Sequence, residues 1–247
     1  MILLTVSANQ TDRMFIHRSF FSISAIFISL VSQPVLSQSS ETEEAVDIQI
    51  NSQSELASRQ RAEVLNNRGY ERLVAEQYAD AELLFRQAIA LDSSSQLYYE
   101  NLARSLGQQQ KIEQVVAVYQ RAQRQFPRVS DLYYYRADAL QKLKRYEAAR
   151  EDYTRAIALA DENPDTQLRH LYYFNRGNTY LKEQRYAEAQ QDYDQALQIN
   201  EHHYGTYANR GFARYNLKNL KGACDDWRKA QEAGYETAQR YITKYCQ

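Results

Sequence analysis

An excess of charge of either sign is absent from this sequence. Its 30 basic and 31 acidic side chains nearly cancel over 247 residues. Residues 1–37 hold Arg13, Arg18 and Asp12, and without them the balance is 28 against 30. A nucleic-acid binder shows a basic patch or stripe, so that class is a poor fit. Cysteine is scarce: Cys224 and Cys246 are the whole complement, and without clustered histidines they do not make a zinc site. His170, His202 and His203 read as solvated residues at a junction. No glycine-rich phosphate loop, nucleophile elbow or acid–base pair occurs. The expectation is therefore no catalytic residue, no cofactor, no metal and no enzyme. The apolar stretch from Phe20 to Val31 has 12 residues, too short for a comfortable membrane span.

What the chain does have is a repeat. Residues 170–203 read as two short amphipathic helices joined by a turn. Tyr173, Gly177 and Tyr180 share one face of the first, and Ala189, Tyr193 and Ala196 share one face of the second, at helical spacing. Tyr186 is placed at the turn. The small–large–small column of the second helix recurs as Ala81–Phe85–Ala88, Val115–Tyr119–Ala122, Ala149–Tyr153–Ala156 and Ala223–Trp227–Ala230. Copies start at 62, 96, 130, 170 and 204, so three steps are 34 residues and one is six longer.

A helix–turn–helix pattern of this period resembles the tetratricopeptide repeat. The resemblance implies an all-α, right-handed α-solenoid of five hairpins (about 62–95, 96–129, 130–163, 170–203 and 204–237). A C-terminal capping helix over 236–246 closes it, with Tyr241, Ile242 and Tyr245 on its inner stripe. The repeat domain as a whole spans 54–247. The copies depart from the family pattern in places. Its small first-helix residue is Gly69, Gly177 or Gly211 in three copies and Ala103 or Ala137 in two. Its helix-ending proline survives only as Pro127.

Two internal pairings stand out. Copies three to five match an arginine in the first helix with an aspartate in the second: Arg136 with Asp152, Arg176 with Asp192, Arg210 with Asp226. Copy two has Leu102 and Val118 at both places, as expected if the side chains touch. Copy one, with Arg68 and Leu84, breaks the rule. Ion pairs with bidentate geometry are predicted. Cys224 lies ten residues before Gly234 and Cys246 twelve after it. Helices folded back antiparallel about Gly234 would bring the two cysteines level, so a disulfide and a pair of free thiols both fit.

The N-terminus is ordered like an export signal, with Met14 a candidate start. His17 and Arg18 precede the apolar stretch, and Val35 and Ser37 precede a cut after residue 37. Cleavage would place the protein in the periplasm or outside the cell. An uncleaved N-terminal anchor is the alternative. Residues 38–53 are expected to be a disordered linker, with Ser54 capping the helix that follows. The six extra residues before copy four hold Asn163, Pro164 and Asp165, a helix-start signature. Either a longer first helix or a surface loop fits them.

In the family the resemblance points to, first helices line a concave surface that holds a partner peptide or protein. Carried over, the groove residues are Tyr70, Arg104, Tyr134, Lys142, Phe174, Asn178, Lys182, Phe212 and Tyr215. Packing between hairpins competes for the same rings. Asn66 and Asn178 occupy places used to clamp a terminal carboxylate, but Tyr70, Glu100 and Asp131 spoil that set. The expected function is a non-catalytic exported scaffold that binds a protein partner, in assembly of an envelope or membrane complex. A component of a cell-envelope enzyme system and a purely structural spacer are the rivals.

Overall fold

The computed structural model describes residues 38–162 and 168–246. Eleven α-helices and no strand occur among them. They are α1 (Gln38–Val74), α2 (Tyr78–Leu91), α3 (Gln96–Gln108), α4 (Ile112–Gln125), α5 (Ser130–Lys142), α6 (Tyr146–Glu162), α7 (Arg169–Lys182), α8 (Tyr186–Ile199), α9 (Tyr204–Asn216), α10 (Leu220–Glu232) and α11 (Glu236–Tyr245). The chain divides into two units, Met1–Ser54 and Glu55–Gln247, and the five hairpins lie in the second. No helix among the described residues is long and apolar enough to cross a membrane.

The repeated column explains the hairpins. Ala81, Phe85 and Ala88 are fully buried, as are Ala149, Tyr153 and Ala156, Ala189, Tyr193 and Ala196, and Ala223, Trp227 and Ala230. Each ring lies against the small residue of its partner helix. A methyl group at Gly177 would meet the Tyr193 ring at 2.8 Å, and one at Gly211 would meet the Trp227 indole nitrogen at 2.5 Å. Each hairpin then packs on the next, α2 on α3, α4 on α5, α6 on α7 and α8 on α9. The core is accordingly a series of separate apolar clusters along the array, not one centre.

Gly211→Ala tests the close approach. Alanine gains about 1 kcal/mol of helix propensity, but overpacking a filled core costs about 1–3 kcal/mol. The Trp227 ring is fully buried and has nowhere to retreat. A net loss of up to about 2 kcal/mol is expected, read by calorimetry as a Tm lower by up to several degrees.

The turns inside the hairpins share one geometry. Glu76, Gln110, Lys144, Gln184 and Lys218 all have φ between 59 and 66°. Behind each, a backbone N–H reaches five residues back, as from Arg185 to the Tyr180 carbonyl at 2.9 Å, a Schellman closure. Tyr186 therefore opens α8 and does not sit in the turn.

Two further expectations change. Residues 38–53 are helical, because α1 already begins at Gln38; the stretch is polar and acidic but has no proline or glycine to interrupt a helix. Ser54 is inside α1, where its hydroxyl donates to the Asn51 carbonyl at 2.8 Å, so it caps nothing. The helix before the extra residues runs longer than its counterparts: α6 has 17 residues, where α2, α4 and α8 have 14. Residue 168 is a turn and α7 begins at Arg169. Asn163, Pro164 and Asp165 lie outside the described residues, as does the signal segment 1–37.

At the C-terminal end α11 lies on α10. The Tyr241 ring stacks on Trp227 at 4.9 Å, and Tyr245 meets Tyr215 at 4.5 Å. Gly234, with φ 84°, makes the reversal. A disulfide joins Cys224 to Cys246, with Cα atoms 5.7 Å apart.

Candidate functional site

First helices of neighbouring hairpins meet one another, α5 with α7 and α7 with α9. They form the inner side of the array. Its clearest recess is a cleft of about 280 Å³ between α3, α4 and α5. Glu100, Arg104, Tyr119, Tyr135, Asp138 and Lys142 line it. Tyr119 and Tyr135 stack at 5.8 Å to form one wall. Asp138 and Lys142 pair at 2.9 Å. Arg104 is exposed and forms no ion pair within 4 Å among the described residues. Burial pushes the Glu100 carboxyl up, against a hydrogen bond from Gln96 and the pull of Arg104. The cleft offers stacked rings, a carboxylate held partly out of water and a cation without a fixed partner.

The remaining groove residues do not share one place. Tyr70 is half-buried against the first core cluster and does not line the cleft. Tyr134 packs among the rings of Tyr135, Tyr153 and Tyr172, and its hydroxyl accepts from Asn175 at 3.1 Å. Phe174 lies against Tyr193 and His203. Phe212 and Tyr215 meet Tyr241 and Tyr245 of α11. Asn178 accepts from Tyr193 at 2.8 Å and from Asn209 at 2.7 Å, so its amide oxygen is already engaged. Asn66 is buried and accepts from Asn101 at 2.9 Å. Lys182 is half-buried, and burial draws its ammonium down while Asp138 opposes that.

Tyr119 and Tyr135 are absent from the carried-over set. Tyr119 stands in the ring column of a second helix, where a core role is the natural reading. Tyr135 ends the run Tyr133–Tyr134–Tyr135, and that tripled aromatic is the one sequence signal that could have drawn attention to it.

The interhelical ion pairs form in all three expected copies. Arg136 meets Asp152 through two bonds of 2.6 Å, and Arg176 meets Asp192 at 2.8 and 2.7 Å. Arg210 meets Asp226 at 2.9 and 2.6 Å. Arg176 also donates to Thr154 of the preceding hairpin, and Arg210 to Asp194. Arg176 and Arg210 thus tie hairpins together, and all three arginines are engaged by a carboxylate and not available to a ligand.

His203 departs from the solvated reading. Its ring is half-buried, 4.7 Å from Phe174 and 5.4 Å from His170, with Nδ1 2.6 Å from the Thr206 hydroxyl. Burial, helped by the nearby His170, draws its pKa down to about 4. The unfolded chain, with a histidine near 6.5, binds the proton more readily. The stability is therefore full above about 6.5 and is lost as pH falls toward about 4. We expect a His203→Gln variant to lose less stability than wild type between pH 7 and 5, by about 1–2 kcal/mol, in urea titrations at each pH.

Family models described as tetratricopeptide repeat match residues 100–164 and 170–203. No curated protein matches the chain in sequence. Among solved structures, that of the MamA protein is 16% identical with a TM-score of 0.62, over 75% of this chain and 95% of its own. PilF of Pseudomonas aeruginosa is 17% identical with a TM-score of 0.62, over 72% and 78%. YrrB, described as a TPR protein with an unusual peptide-binding site, is 18% identical with a TM-score of 0.59, over 72% and 90%. With five stacked hairpins built on one column of small and large residues, and family models on three of them, this chain is a tetratricopeptide-repeat protein.

Proposed function

We propose that the chain is a non-catalytic adaptor that holds a protein partner or an extended peptide against its inner face. The observation that carries this reading is the cleft between α3, α4 and α5, where the unpaired Arg104 stands beside stacked tyrosines. Aromatic and arginine side chains in a recess are what partners anchor on. The peptide-binding site named for the similar YrrB structure adds support. A rigid array presents these groups at fixed spacing, so little ordering is needed on binding.

Export belongs to the same proposal. Its supports are the signal-like residues 1–37 and the disulfide, which suits an oxidising compartment. The partner would then be an envelope or membrane component, and neither nucleic acid nor a cofactor takes part. An N-terminally anchored form is the alternative location; the mass of the purified protein, cut after Ser37 or not, separates the two.

The functional test is crosslinking and capture from envelope fractions with the full chain. It compares wild type, the double variant Arg104→Glu/Lys142→Glu, and Phe212→Ala as a change outside the cleft. Loss of the same captured proteins by the double variant alone, by about tenfold or more, is expected. Equal recovery by all three would overturn the cleft as the binding site.

A further inference from the structure

We infer that the seam of copy two between α2, α3 and α4 is a second binding site, separate from the inner cleft, and that it takes an apolar side chain standing next to a carboxylate on a partner protein. The seam is a crevice of about 240 Å³. Ile89, Tyr99, Leu102 and Val118 make its floor, and Arg86 and Arg121 stand exposed at its mouth. α3 turns Glu100 and Arg104 to the inner cleft and Tyr99 and Leu102 to the crevice, so the two recesses lie on different sides of one helix.

The inference comes from comparing the same seam in four copies. In copies three to five it is spanned by the arginine–aspartate pairs. Arg176 and Arg210 also reach an acceptor on the preceding second helix, Thr154 of α6 and Asp194 of α8. Copy two has neither part. Leu102 and Val118 replace the pair, and the acceptor's place on α2 is taken by Arg86.

Charge is accordingly unbalanced at this seam. Arg86 donates to Glu82 at 2.9 Å and to Gln114 at 2.9 Å. Glu82 also takes Lys111 at 2.8 Å, so one carboxylate answers two cations. Arg121 lies over the Tyr99 ring at 5.7 Å and forms no ion pair within 4 Å among the described residues. Its counterpart in copy five, Lys229, lies over Tyr207 at 4.9 Å, but above a seam that holds Asp194 and Asp226.

An apolar floor under an unanswered guanidinium selects an apolar group joined to an anion. A carboxylate gives Arg121 a partner for two parallel bonds, and the side chain beside it leaves water for the crevice. The volume lies below the about 300–1,000 Å³ of pockets that enclose whole small ligands. The occupant is therefore one side chain of a larger chain. A leucine or phenylalanine adjacent to an aspartate or glutamate, on an exposed segment of a partner, has this chemistry. Because the crevice and the cleft use different sides of α3, one molecule can hold two partners at once.

Peptide display on the full chain tests this. A random library is depleted on Arg121→Glu, a change at an exposed side chain, and then selected on wild type. Surviving peptides should carry an apolar residue adjacent to an acidic one. Synthetic copies should bind wild type with a dissociation constant on the order of 100 μM, read by fluorescence anisotropy. Leu102→Arg/Val118→Asp installs the pair of the other seams and should weaken them at least about tenfold. Ala117→Glu copies Glu151 of copy three at an exposed position lining the crevice, gives Arg121 a carboxylate of its own, and should do the same without touching the core. Lys229→Glu, the matching charge change in copy five, should leave binding unchanged. A library with no survivor would overturn the proposal. So would survivors without an acidic residue, survivors that bind Ala117→Glu as tightly as wild type, or survivors lost on Lys229→Glu. Laurate that binds wild type but not Arg121→Glu, with no surviving peptide, would give the seam to a fatty carboxylate instead.

Discussion

Asp192→Ala is expected to cost about 3–5 kcal/mol, the usual penalty for removing one partner of a buried pair. Asp192 is 4% exposed and accepts two bonds from Arg176. Burial pushes its carboxyl up, and the hydrogen bonds and charge of Arg176 pull it down; the carboxylate in turn raises Arg176. Alanine leaves Arg176 in a half-dry seam with one hydroxyl, that of Thr154. For a chain of this size the melting point should fall by about 10 °C. The double variant Arg176→Leu/Asp192→Val copies Leu102 and Val118 of copy two. Replacing a whole buried pair by packed apolar groups is often neutral or better, so this variant should melt within a few degrees of wild type. Calorimetry on the three variants reads both effects. A single alanine variant that melts with wild type would show that the pair adds nothing to stability.

The second large effect concerns the closing helix. Removing the disulfide by Cys224→Ser/Cys246→Ser frees a loop of 22 residues, worth about 3 kcal/mol in the chain-entropy account. The loss should be local, because each hairpin of an array touches only its neighbours. α11 should exchange its amide protons much faster, and the emission of Trp227, the one tryptophan, should move to the red as Tyr241 and Tyr245 leave it. Exchange in copies one to three should not change. Equal protection of residues 236–245 with and without the disulfide would mean that the aromatic contacts alone hold the cap.

Much of this was legible because it is local and repeated. The column Ala189–Tyr193–Ala196 specifies a close helix pair by itself, and four more copies remove the ambiguity of a short apolar run. The arginine–aspartate pairs were legible because Leu102 and Val118 change together within one chain. The turns were not. Left-handed backbone usually announces itself by glycine or asparagine, and here Glu76, Gln110, Lys144, Gln184 and Lys218 adopt it. The α1 extension was missed because polarity and acidity were weighed above the absence of helix breakers. The inner face was read in part. A ring such as Phe212 or Tyr215 on a first helix satisfies both a partner and a neighbour, and the direction in which α11 lies back decides between them.

The beaded core bears on how the array would respond to force. A single centre gives way at once, but separate clusters yield one after another. Pulled from its two termini, the array should lengthen in steps near the contour of one repeat, roughly 110–120 Å for 34 residues. The weakest bead yields first. It should lie toward the N-terminal end, since the last hairpin is bolted by Cys224–Cys246 and copies three to five are laced by arginine.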